Sequence, residues 1–133
     1  MGDMLKASAA GFIAFVVLDG LWLGVVMKDF YRTQLAPIAR MADGGLAPVW
    51  SVAWVIYVLL GAGVGIFVIP RATSVSSAAL LGALLGLVIY GVYDLTNYST
   101  LAQWPDAVTI ADIAWGMCAT AAASAAVYAI AGR

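Results

Sequence analysis

Three aspartates stand inside runs of residues that are otherwise apolar: Asp19 in "VVLDGLWLG", Asp94 in "YGVYDLTNYSTL" and Asp112 in "TIADIAWG". A carboxylate in the hydrocarbon of a membrane costs about 2.5–3.5 kcal/mol even on lenient insertion scales. No lysine or arginine lies within these runs to offset that cost. At least one of the three is therefore expected to carry a proton at neutral pH or to be compensated by a bound cation. Three chemistries fit: a proton-coupled site, a cation site, or a general acid/base pair. The neighbours are aromatic and amide side chains. They would suit an organic cation, through cation–π contact, or an isoprenoid or acyl chain. A hard metal ion needs more oxygen ligands than two or three scattered carboxylates give, so no metal site and no cofactor are assigned. The candidate ligand- or proton-binding set is Asp19, Trp22, Trp54, Tyr90, Asp94, Asn97, Tyr98, Asp112 and Trp115; no residue is assigned a catalytic role.

The composition says what surrounds them. The chain has 133 residues, 65% of them apolar and 10% charged, with a mean hydropathy of +1.02. A soluble domain of this length leaves too much surface exposed to hide so much apolar area. The expected solvent is lipid, and the expected fold is all-α: one four-helix transmembrane domain over residues 1–133. Net charge is −1 with no basic face, which argues against nucleic acid as a partner. The absence of histidine excludes histidine-ligated haem, most zinc sites and a Ser-His-Asp triad. The single cysteine, Cys118, excludes an internal disulfide and reads as a small packing residue in an Ala-rich helix. The "MGDMLK" start resembles a signal peptide. The following run contains an acid and lacks a small-residue cleavage site, so it reads as a retained anchor.

Crossing the hydrocarbon takes about 20 residues of helix. Four runs qualify, near Ser8–Met27, Val49–Ile69, Ser77–Tyr98 and Thr109–Ala131. Pro48, Pro70 and Trp104-Pro105 punctuate them. Short connections after the second and third imply antiparallel neighbours in a compact bundle. The longer first connection, "KDFYRTQLAPIARMADGGLAP", places Phe30, Tyr31, Leu35, Ile38 and Met41 on one side of a short segment. Lys28, Arg32 and Arg40 would then reach headgroups, which reads as an interfacial segment or as an irregular loop with snorkelling cations. Small residues recur four apart at Gly20/Gly24, Gly61/Gly65, Gly82/Gly86 and Gly116/Thr120/Ser124, spacing that lets helix backbones approach.

Four spans return the chain to its starting side, called A. Side A carries Lys6, Arg71 and Arg133; side B carries Lys28, Arg32 and Arg40. This balance gives no orientation, and insertion both ways stays open. The polar residues are not balanced. Asp94 and Asp112 are expected roughly 5 Å below the B interface and Asp19 about 12 Å below it. Trp50, Tyr98 and Trp104 read as an interfacial belt; the buried acids do not. Helical spacing groups Gly82, Gly86, Tyr90 and Asp94, then Asp19 with Trp22, Asp112 with Trp115, and Trp50, Trp54 and Tyr57. Facing inward, these stripes would form one pocket open to side B. Asp19 would be its floor, and Asp94, Asn97 and Asp112 its mouth. Structural readings stand beside this. Asp112 in a first turn would suit the helix dipole with Thr109 as cap, and Asp94 could simply bond tyrosine hydroxyls.

The segments "LDGLWLG", "YDLTNYSTL" with its following Trp104, and "DIAWG" resemble the signature segments of a family of small bacterial integral membrane proteins catalogued as a domain of unknown function. The resemblance spans nearly the whole chain. It implies four membrane helices in a bacterial inner membrane and supplies no activity. In plan the chain is also similar to small four-helix multidrug transporters, though those carry glutamate in the first span and lack a counterpart of Asp94 and Asp112. Three functions remain. One is a carrier in which Asp19 couples protons to a small organic or lipid-like ligand. Another is a lipid-modifying enzyme using Asp94 and Asp112 as acid and base. The last is an accessory subunit, as a homodimer or within a larger membrane complex.

Overall fold

The computed structural model describes residues 1–131; Arg133, counted above on side A, lies outside the described residues. Four helices are long and apolar enough to cross a membrane: Gly2–Val26, Trp50–Arg71, Val75–Thr100 and Asp106–Ala131. The chain is an all-α polytopic membrane protein. The first, third and fourth spans start earlier than composition implied; in the first and fourth, polar residues such as Asp3, Lys6 and Asp106 continue helices that the hydropathy run alone would end.

Helix α1 (Gly2–Leu21) widens into a π-turn over Trp22–Val26, where the Met27 amide reaches back to the Trp22 carbonyl at 2.7 Å. Met27 breaks the helix, and α2 (Lys28–Leu35) follows as the interfacial segment. A small hairpin, β1 (Met41–Ala42) and β2 (Gly45–Leu46), turns through Asp43 and Gly44, both at positive φ. The Asp-Gly pair suits that tight turn.

Helix α3 (Trp50–Gly63) continues through a second π-turn, Val64–Val68, and a short 3₁₀ turn, Ile69–Arg71. Pro70 has no N–H to bond the Ile66 carbonyl. The Arg71 guanidinium donates there instead, at 3.3 Å, and to the Phe67 carbonyl at 3.1 Å. Helix α4 (Val75–Thr100) opens on a reciprocal cap. Ser74 Oγ accepts from the Ser77 amide at 3.0 Å, and Ser77 Oγ accepts from the Ser74 amide at 2.9 Å. Helix α5 (Asp106–Ala131) returns the chain.

In space, α1 packs against α3 and α5, and α5 packs along α4. The pairing of α3 with α4 expected from their short connection is confined mainly to the Val64–Val68 end of the second span. Small residues explain the close pairs. A Cβ on Gly61 would meet the Ser8 carbonyl at 2.5 Å and the Phe12 amide at 2.6 Å. On Gly82 it would meet Ser124 and the Thr120 carbonyl, and on Gly86 the Gly116 carbonyl. Gly20 and Gly24 have nothing within 4 Å, so the first of the expected stripes packs against no helix. Cys118 is exposed on α5 rather than packed inside. The core runs through Phe15, Val64, Val68, Ala119, Ala123 and Val127, while Ile13, Val17, Val58 and Val88 are exposed to lipid.

Gly61→Leu is expected to force α1 from α3 and cost about 1–3 kcal/mol or more. Gly20→Ala should leave stability near wild type. Thermal unfolding of the two variants in the same detergent checks the contrast.

Candidate functional site

The three acids come together by helix packing. Asp19 lies one turn before the π-turn of α1, Asp94 six residues before the end of α4, and Asp112 six residues after the start of α5. At about 1.5 Å per residue, Asp94 and Asp112 sit about 9 Å from those ends. Asp19 bonds Trp115, which lies about one turn further along α5 than Asp112. Asp112 is not in a first turn. That place belongs to Asp106, and the Thr109 hydroxyl donates to the Pro105 carbonyl at 3.2 Å instead of capping the helix.

A chain of polar contacts links them. Trp115 Nε1 donates to Asp19 Oδ1 at 2.8 Å, and Tyr57 flanks the same carboxyl. The Trp115 ring stacks on Trp22, centroids 4.4 Å apart and planes 2° from parallel. Trp22 Nε1 donates to the Tyr31 hydroxyl at 3.1 Å, and that hydroxyl donates to Asp112 Oδ1. Asp94 on α4 lies near Asp112 on α5, close enough for the two carboxyls to interact electrostatically. Asp94 is 0% exposed, and neither of its oxygens has a donor among the described residues. Burial pushes the Tyr31 hydroxyl upward, and its bond to Asp112 adds to the shift. The phenol therefore keeps its proton and serves as a donor to Asp112.

Of the candidate residues, Asp19, Trp22, Asp94, Asp112 and Trp115 join this network. Tyr90 packs its ring over Gly116, sealing α4 to α5 beside it. Asn97 is half-buried in a separate groove with Tyr93 and Trp104. Trp54 is 47% exposed, and Tyr98, read as a belt residue, is 50% exposed. Trp54 pairs with Phe12 at 6.0 Å and Tyr57 at 6.2 Å on the lipid side. The reason is angular. A Trp50–Trp54–Tyr57 stripe is broad enough that only its Tyr57 edge turns inward. Asp19, Asp94 and Tyr31 are buried, while Trp22, Asp112 and Trp115 are part-exposed.

Tyr31 is the residue that spacing did not single out. It was readable only as part of the apolar side of an interfacial segment, yet it is 3% exposed and its hydroxyl is the link to Asp112. Its signal was a hydroxyl among Phe30, Leu35 and Ile38. Tyr57 carried a similar signal three residues after Trp54.

Residues 4–129 match the family model described as "Predicted membrane protein (DUF2177)", and the chain belongs to that family. No curated protein and no solved structure matches it.

Removing the Tyr31 hydroxyl leaves Asp112 without its aromatic donor. Tyr31→Phe is expected to cost about 1–3 kcal/mol. Tyr98→Phe, on an exposed face, should cost nothing measurable. Paired thermal melts in detergent or nanodiscs check this.

Proposed function

We propose, from membership of that membrane-protein family and from the geometry of the B-side half, that the protein is a small carrier. It binds a small organic or lipid-like ligand and couples the ligand to a proton held by its buried aspartates. The observation that carries this reading is Asp94: a fully buried carboxyl with no donor, set against the carboxyl of Asp112. Two facing carboxylates repel; one proton between them turns the repulsion into a hydrogen bond. A pair poised in this way can take up or give back that proton whenever its surroundings change. The coupling role read at first in Asp19 thus moves to Asp94 and Asp112, because Asp19 already has Trp115 and Tyr57 as partners. On this reading the chain is one domain, sits in a bacterial inner membrane, and takes its ligand from side B.

The acid/base enzyme is less well supported. It needs Asp94 to reach a substrate, and that carboxyl is 0% exposed. A polar staple in an accessory subunit is the second reading. It is favoured by the aromatic donors that Asp19 and Asp112 already have.

Asp94→Asn separates these readings. The neutral amide removes the proton site and gives Asp112 a donor. The variant is expected to be as stable as wild type or more so. It should lose movement of a short-chain fluorescent lipid, or of a lipophilic organic cation, driven by a pH gradient across reconstituted vesicles. Gradient-driven movement unchanged in the variant would sink the carrier, and a large loss of stability would favour the staple.

A further inference from the structure

A second feature lies apart from the aspartates. Between α2 and the connection from α4 to α5 runs an open groove of about 690 Å³, lined by Leu35, Ile38, Tyr93, Asn97, Leu101 and Trp104 among others. Its volume falls within the roughly 300–1,000 Å³ of small-molecule sites. The lining is apolar or neutral, and no acid or base contributes to it. Tyr93 and Trp104 form an edge-to-face pair in its wall, with centroids 5.9 Å apart. The Trp104 indole N–H is buried without an acceptor among the described residues. Arg40 stands one residue beyond Ala39 of the lining, exposed and without an ion pair among the described residues.

We propose that this groove holds one acyl chain of an anionic membrane lipid, with the headgroup phosphate against Arg40. Its position argues for lipid. One wall is the end of α2 with the turn that follows it, and the other is the B-side end of α4 with the connection to α5, so the groove lies where acyl chains meet headgroups. The neutral lining suits a hydrocarbon chain. The half-buried Asn97 amide offers a donor to an ester oxygen. Arg40 sets the sign of the headgroup, since a guanidinium pairs well with phosphate. The inference goes beyond the carrier reading and does not rest on Asp94. It stands if the protein moves nothing across the membrane.

Native mass spectrometry tests it on the full chain, extracted from vesicles containing equal phosphatidylcholine and phosphatidylglycerol. Phosphatidylglycerol should be retained selectively, and inorganic phosphate should not displace it. Ala102→Phe, which fills the groove, should lower retention roughly tenfold by excluding the chain. Arg40→Ala should lower the preference for phosphatidylglycerol about fivefold, the weight of one surface cation near an anionic leaflet. Asp94→Asn should retain lipid as wild type does, which separates this test from that of the carrier. Equal retention of both lipids by wild type, or an unchanged preference in Arg40→Ala, overturns the proposal. So does full retention by an Ala102→Phe protein whose melting temperature is unchanged.

Discussion

In hydrocarbon a polar group has no water to turn to, so leaving one without a partner within the protein is costly. The B-side half of this bundle is organised by that constraint. Asp19 takes the indole of Trp115, and Asp112 takes the hydroxyl of Tyr31. Tyr31 is itself held by Trp22. Each donor comes from a different element from its acceptor, so satisfying the acids also fixes α1, α2 and α5 relative to one another. The stacked Trp22 and Trp115 rings join the two halves of the network with an apolar contact. The π-turn over Trp22–Val26 sits at this junction. Such turns inside helices are frequent at functional sites.

The rest of the bundle obeys the opposite rule. Where no acid needs a partner, glycine and small hydroxyl residues let backbones touch, as Gly61 does against Ser8 and Phe12, and Gly82 and Gly86 against α5. Lipid offers no hydrophobic drive to press helices together, so close packing must supply the attraction. Thr120 and Ser124 belong to this contact rather than to the polar network; their hydroxyls are buried without partners among the described residues.

This division governs what the sequence made legible. Run length and proline placement gave four spans close to those observed. The pairs Asp19/Trp22 and Asp112/Trp115 read correctly as shared faces, because a polar residue marks an inward face in a membrane helix. Trp54 read poorly for the converse reason. In a span that is apolar all round, lipid-facing and core-facing aromatics look alike, and helical spacing alone does not choose between them. Hydropathy also missed Asp106 as the start of α5, which shifted Asp112 from a first turn to the interior. Tyr31 was hidden differently: its partner lies 81 positions away, and nothing local marks such a contact.

The short helix α2 is the element common to the polar network and the groove. Tyr31 on it donates to Asp112, while Leu35 at its end lines the groove with Tyr93 and Asn97 of α4. Tyr93 and Asn97 flank Asp94 in the chain. Tyr31 and Leu35 lie four residues apart, so one face of α2 serves both features: its first part closes on the polar network and its end lines the groove. The groove is already open where Leu35 lines it, so it and the carboxyl pair are built from different side chains on the same two helices, α2 and α4.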